Sequence, residues 1–215
     1  MRMIEQFGEF MLSLKKLIED EQYEKGIEYA DKTLAKITGL ENKTLSMIDV
    51  DNFIDIMKLR REMYWVDLIF AAKVLKEKGD LYLLLDKKEE ADIVYIYTMK
   101  IWLYLINEID EFEFEKYDTE IGYIYEKVKD FEFSTPYKMQ FINYFLNASK
   151  YDLGENFIFE LLEDDNVGDQ DKNVVYEKAL KFYDTLLTKD DDDLIFGGLP
   201  REEAIEGYDD LKGYS

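Results

Sequence analysis

The chain has 215 residues, 49 Asp and Glu against 27 Lys and Arg, and neither histidine nor cysteine. This removes the side chains most used as general base near neutral pH, as thiol nucleophile and as soft metal ligand, and it excludes disulfide staples and zinc-thiolate sites. A net charge of −22 repels phosphate backbones and anionic lipid, which argues against nucleic acid and membrane as ligands and favours a basic protein or peptide partner.

A hydrophobic content of 47% sets the chain apart from disordered acidic sequences, and two prolines and eleven glycines leave few helix breakers. An all-α fold is therefore expected. The opening residues Met1 to Glu9 carry two glutamates where a secretory leader needs an apolar run, so a cytoplasmic protein is expected. The longest apolar stretch, Ile93 to Ile106, contains Lys100 and is too short to span a bilayer.

In chain order, Ile4, Phe7, Phe10, Met11, Leu14, Leu17 and Ile18 fall at helical spacing, predicting an amphipathic helix over 3–20. A second helix is expected from Gln22 and Tyr23 to Ile37, closed by Gly39. Ser46 or Asp49 can cap a short helix through Phe53, Ile54 and Met57, and a further helix is expected from Arg60 to Lys78, stopping at Gly79. The pattern resumes at Asp80 as a short helix, and a long helix over 89–108, apolar nearly all round, should be central. Phe112 and Phe114 alternate with acids in what reads as a connector, and a helix follows from Asp118 or Thr119 to Phe131. Ser134, Thr135 and Pro136 start a helix expected to reach Leu162. Residues 163–173 read as a polar loop and 174–188 as a helix. Asp190 to Asp193 read as a break, 194–200 as extended chain and 201–211 as a last helix. The domain reading is a helical domain over 1–189 and an acidic linker with a C-terminal segment over 190–215. Residues 151–215 hold 19 acidic against 6 basic residues, so the acid is concentrated there.

One spacing has the form of a helical repeat. Leu75, Gly79 and Tyr82, followed by Ala91 and Tyr95, place apolar, Gly, aromatic, small and aromatic residues as in the tetratricopeptide pattern. Gly79 and Ala91 would let two antiparallel helices approach while Tyr82 and Tyr95 fill the groove beside them. Leu153, Gly154 and Phe157 with Ala179 and Tyr183 repeat the idea across a longer loop, and Gly26 with Ala30 fits loosely. The opening Met1 to Gln6, the helix end Ile37-Thr38-Gly39-Leu40 and the segment Gly79 to Ala91 resemble an uncharacterised Firmicutes family of helical, tetratricopeptide-like proteins. The resemblance covers roughly the first 105 residues. It implies a bacterial cytosolic helical protein and brings no catalytic residue.

Candidate sites are few. Asp169, Asp171 and Asn173 have the first three spacings of a calcium loop, but Val174 and Leu180 stand where Gly and Glu are needed, so a solvated loop is the better reading. The four aspartates 190–193 read as solvated. Glu89, Glu90 and Asp92 lack the histidines of a di-iron bundle. No catalytic residue, metal or cofactor is assigned. Tyr97, Trp102 and Tyr104, with Tyr64 and Trp65 on the preceding helix, are the residues expected to line a partner groove, while Gly79, Tyr82, Ala91 and Tyr95 are expected to pack helices. Arg60 and Arg61 suit surface ion pairs or a helix start. The leading expectation is a protein- or peptide-interaction module. An enzyme or small-molecule binder using carboxylates and Tyr, and an acidic nucleic-acid mimic, are the alternatives.

Overall fold

A computed structural model describes residues 2–41, 44, 47–60 and 62–214. Ser46 and Arg61 of the sequence reading lie outside the described residues. Among the described residues the fold is all-α, with eleven α-helices, two 3₁₀ turns and no strand. The chain forms two compact units: Met1–Leu105 with Thr119–Asp130, and Ile106–Asp118 with Phe131–Ser215.

The first unit starts with a hairpin of α1 (Arg2–Glu19) and α2 (Tyr23–Thr38). Phe10 and Leu14, one turn apart on α1, are buried, and the Phe10 ring stacks on Tyr29 of α2 at 5.5 Å. The buried stripe of α2 is Gly26, Ala30, Leu34 and Thr38, four residues apart. Its small end admits the helix that carries Leu81, since a Cβ on Gly26 would meet Leu81 Cδ1 at 3.0 Å. Gly39 ends α2 in the left-handed conformation at φ 65°. The Arg60 guanidinium rests against Gly39, where a cation suits the helix C-terminus. α3 (Val50–Lys58) is capped by Asp49, whose carboxylate accepts from the Asn52 amide at 2.9 Å.

α4 (Tyr64–Leu84) runs straight through Gly79, which corrects the expectation that the helix stops there. Helical hydrogen bonding tolerates one glycine, and this one is buried because a side chain needs its space: a Cβ there would lie 2.5 Å from Tyr95 on α5 (Lys88–Glu108). Tyr64 Oη and Tyr104 Oη meet at 2.6 Å. The pairs 64 with 104 and 79 with 95 can both form only if α4 and α5 are antiparallel. α6 (Asp118–Val128) adds Ile121 and Ile124 to the core and is held by Lys73 to Glu120 at 2.7 Å.

The second unit contains α7 (Thr135–Asn147), α8 (Tyr151–Glu163), α9 (Asp169–Leu187), α10 (Asp191–Phe196) and α11 (Arg201–Leu211). The expected single helix from 135 to 162 is broken at Ala148, Ser149 and Lys150, with Ser149 at φ 50°. α9 begins at Asp169, five residues before the expected start, because Asp169 and Asp171 in its first turn complement the helix dipole. The calcium-like spacing therefore lies on helix, not on a loop.

Residues 190–215, read from sequence as linker and terminal segment, belong to this unit. Asp190 caps α10 by accepting from the Asp193 amide at 2.8 Å, so the acidic run starts a helix whose Leu194 is fully buried. Arg201 bonds the Lys189 and Leu187 carbonyls at 2.5 and 3.4 Å, satisfying carbonyls at the end of α9, and pairs with Asp191. The Gly197 carbonyl in turn accepts from the Tyr151 amide at 2.8 Å. The core is Ile158, Val175, Ala179, Tyr183, Ala204 and Leu211, all fully buried. Gly154 repeats the device of Gly79, for its Cβ would approach Phe182 to 2.6 Å.

Gly79→Leu and Ala91→Leu should each lower unfolding free energy by about 1–3 kcal/mol through overpacking, measured by urea denaturation. Unchanged midpoints would disprove the α4–α5 approach.

Candidate functional site

The first unit carries a groove of about 330 Å³. α2 contributes Asp31 and Leu34, and α3 with its approach contributes Phe53 and Ile48. α4 contributes Leu75, Lys78 and Tyr82, and α5 contributes Glu90, Ile93, Val94 and Tyr97. It exists because α5 is apolar on more faces than its core contacts use. Ala91, Tyr95, Thr98, Met99 and Trp102 are buried, while Ile93, Val94 and Tyr97 face another direction. Ile93 is 67% exposed, an unusual place for a large aliphatic side chain beside a hollow.

The polar part of the groove is small and ordered. Lys78 Nζ lies 2.6 Å from Asp31 Oδ1 and 5.7 Å from the Tyr82 ring centre. With its side chain 16% exposed, Lys78 is desolvated enough for the pair to matter, and Asp31 largely cancels its charge. Among the described residues no cation pairs with Glu90, exposed at the start of α5, and the lining is left with one more acid than base. The Phe53 and Tyr97 rings, 5.8 Å apart, form part of the wall.

The sequence-derived groove residues are only partly brought together. Tyr97 lines the cavity, joined by Tyr82, which sequence assigned to packing. Tyr64 and Tyr104 are partners of each other elsewhere, and Trp65 is half-buried. Trp102 is 1% exposed, so it is core and not a groove residue; its position falls on the Ala91–Tyr95 face of α5. Gly79, Ala91 and Tyr95 are all buried as packing residues. Sequence reasoning missed Asp31, Lys78, Glu90 and Ile93. A signal for Ile93 existed in the near-continuous apolar surface of α5, which exceeds what one core face requires.

Two polar clusters lie outside this groove. In the first unit Asp80 accepts from Tyr95 Oη at 2.5 Å and Tyr123 Oη at 2.6 Å, and pairs with Lys76 at 2.8 Å. Burial, reinforced by the Asp80 hydrogen bond, pushes the Tyr95 hydroxyl far up, so it stays a proton donor. The network is internally satisfied. In the second unit Tyr183 donates to Glu155 at 2.6 Å, both resting against Gly207 of α11. Burial raises the Glu155 pKa, the Tyr183 bond opposes this, and the charges of Glu203, Asp152 and Asp210 add to it. Among the described residues, no group of three acidic side chains is gathered so as to hold a metal ion, and no helix is long and apolar enough to cross a membrane.

The match to a family model settles the relationship. The chain belongs to a family of unknown function, DUF6483, whose model matches residues 1–214. The family therefore extends through the second unit, well beyond the 105 residues on which the sequence resemblance rests. No curated protein and no solved structure matches the chain.

Two outcomes are expected. Asp31→Asn should cost about 1–3 kcal/mol in denaturant unfolding by leaving a half-buried ammonium without its carboxylate; no loss would mean that solvent compensates Lys78. For Glu155 the raised folded-state pKa means a penalty fully present above that pKa and removed as pH falls below the unfolded value. Glu155→Gln should therefore raise the melting temperature at pH 7.5, with the gain shrinking on acidification through the carboxylate range. An equal gain at both ends would assign the effect to packing.

Proposed function

We propose that the chain is a tetratricopeptide-like peptide-interaction module of the bacterial cytosol, and that the groove of its first unit receives one apolar side chain of a partner peptide. A Lys or Arg beside that anchor lies against Glu90. The observation that carries this reading is the exposed Ile93 at the rim of a hollow walled by Leu34, Phe53, Leu75, Val94 and Tyr97. An apolar surface that opens to solvent between helices is the form in which helical arrays bind extended or helical segments. Charge supports a basic partner, since Asp31 occupies Lys78 and Glu90 remains, on a chain of net charge −22. The repeat reading is supported by the Gly79 approach to Tyr95 and by its echo at Gly154 and Phe182.

The test is selection of random peptides displayed on phage against the full chain, with counter-selection on Ile93→Glu. Enriched peptides should carry an apolar residue within a turn or so of Lys or Arg. They should bind Ile93→Glu about tenfold or more weakly, the equivalent of about 1.4 kcal/mol, and Glu90→Lys more weakly as well. No enrichment, or peptides that bind the Ile93→Glu protein equally, would sink the proposal.

A further inference from the structure

The short helix α10 turns one apolar residue inward and two outward. Leu194 is fully buried and Leu199, just beyond the helix, is buried as well, yet between them Ile195 is 62% and Phe196 83% exposed. Successive helical residues lie about 100° apart around the axis, so once Leu194 faces the core its two successors leave it. The backbone beneath them is fixed. The Gly197 carbonyl accepts from the Tyr151 and Asp152 amides at 2.8 and 3.3 Å, its N–H donates to the Asp193 carbonyl at 3.0 Å, and the Leu199 amide reaches the Leu194 carbonyl at 3.0 Å. A Cβ on Gly197 would lie 2.1 Å from the Tyr151 ring, and Gly198 turns the chain at φ 79°. Two large apolar side chains are thus held out to solvent on a backbone anchored on either side of them.

Charge identifies what covers them. The second unit holds 26 acidic and 9 basic residues and the first 23 and 18, so the surplus acid lies in the unit that carries Phe196. Between Lys189 and Arg201 the chain has Asp190 to Asp193 and no base. Asp191 stands one turn before Ile195 and Asp192 one turn before Phe196, each on the same face of α10 as the apolar side chain that follows it. Arg201 is taken up by Asp191 and by the Leu187 and Lys189 carbonyls, and Lys189 Nζ lies 5.6 Å from the Tyr151 ring centre. A second copy brings the same acids around its own Phe196 and is repelled, and its groove, lined by one more acid than base, does not suit a segment rich in aspartate. An anionic bilayer is repelled too.

We propose that Ile195 and Phe196 form a docking surface of the second unit whose occupant is a basic amphipathic helix. The apolar face of that helix covers the two side chains, and its lysines or arginines lie over Asp192 and Asp193. An exposed aromatic ring on a backbone already in place loses little freedom on association, and rings of this kind carry a large share of binding energy at interfaces. The aspartates speed encounter and turn away acidic competitors. This surface does not involve the groove of the first unit and does not depend on what that groove binds.

The probe is a fluorescein-labelled synthetic helix of leucine and lysine with every leucine on one face, compared by anisotropy titration with a scrambled peptide of the same composition. Both are titrated with the full chain carrying Ile93→Glu, so the groove of the first unit takes no part and its own success or failure leaves this result untouched. The amphipathic helix should bind at least about tenfold more tightly than the scrambled peptide. Phe196→Ser, an exposed position, should leave the melting temperature unchanged and reduce that preference to about twofold or less. Ile195→Ser should reduce it in part, which keeps the test sound should Phe196→Ser disturb α10. Asp192→Asn should weaken both peptides, more at low than at physiological salt. No preference for the amphipathic helix, or a preference that survives both serine variants, overturns the inference. Dimerisation of the parent chain in sedimentation equilibrium, or its flotation with neutral phosphatidylcholine vesicles, overturns it as well if Phe196→Ser abolishes the effect, for the surface then belongs to a second copy or to lipid.

Discussion

The arrangement of both units depends on the close approach of helices at a glycine, with an aromatic ring of the neighbouring helix filling the space. Gly79 receives Tyr95 in the first unit, and Gly154 receives Phe182 in the second. The approach has a polar consequence in the first unit, where Tyr95, laid over Gly79, donates to Asp80, one residue after that glycine. In the second unit the ring over Gly154 belongs to Phe182, and it is the next residue, Tyr183, beside Gly207, that donates to Glu155. Where histidine and cysteine are absent and 17 tyrosines and 49 acids abound, the tyrosine hydroxyl is the natural donor for an acid that must be partly buried. Asp184 with Tyr208 and Glu163 with Tyr214 extend the same chemistry to α11 and the turn after it.

Excess acid imposes a second constraint. Half-buried cations can be neutralised easily, and most described ones are, but half-buried acids compete for too few lysines. Asp80 solves this with two tyrosines and Lys76, and its charge is fully used. Among the described residues Glu155 has only Tyr183 as hydrogen-bond partner, with Glu203, Asp152 and Asp210 nearby, so it retains an electrostatic cost. The second unit, which holds the more acidic end of the sequence, therefore carries the titration-sensitive spot, and the first unit carries the satisfied one.

Helix class and most starts were legible in the sequence because they rest on local chemistry. The Asp49 cap, the Gly39 terminator and the Pro136 start depend on a few adjacent residues, and the apolar spacing of α1 and α2 needs no tertiary information. Errors fell where one local signal stands for opposite structures. Gly79 was read as a stop because glycine ends many helices, yet its small size matters here only once Tyr95 is in place. Four aspartates were read as a break because adjacent charges repel, yet Asp190 is a cap and the following acids lie at the favourable end of a helix dipole. Arg201, in contact with carbonyls more than ten residues earlier, had no local signal at all. The groove was legible in part. Surplus apolar surface on α5 could be seen, but its direction relative to the buried face depends on helix rotation, so Trp102 was placed on the wrong side and Ile93 was overlooked.

On the proposed function, the geometry of the groove separates two jobs, encounter with a ligand and its retention. At physiological ionic strength the screening length is about 8 Å, so charges distributed over the chain speed encounter with a basic ligand but add little once it is seated. On the proposed function, residence is set instead by contacts that exclude water, and the groove's lining for these is aliphatic and aromatic: Leu34, Phe53, Val94, Ile93 and Tyr97. Glu90, exposed in the same lining, would serve both roles on that proposal. A groove of this kind discriminates by shape and apolar fit first and by a single charge second. General acidity, which many unrelated basic proteins would satisfy, can then bring ligands to the surface without deciding which of them stays.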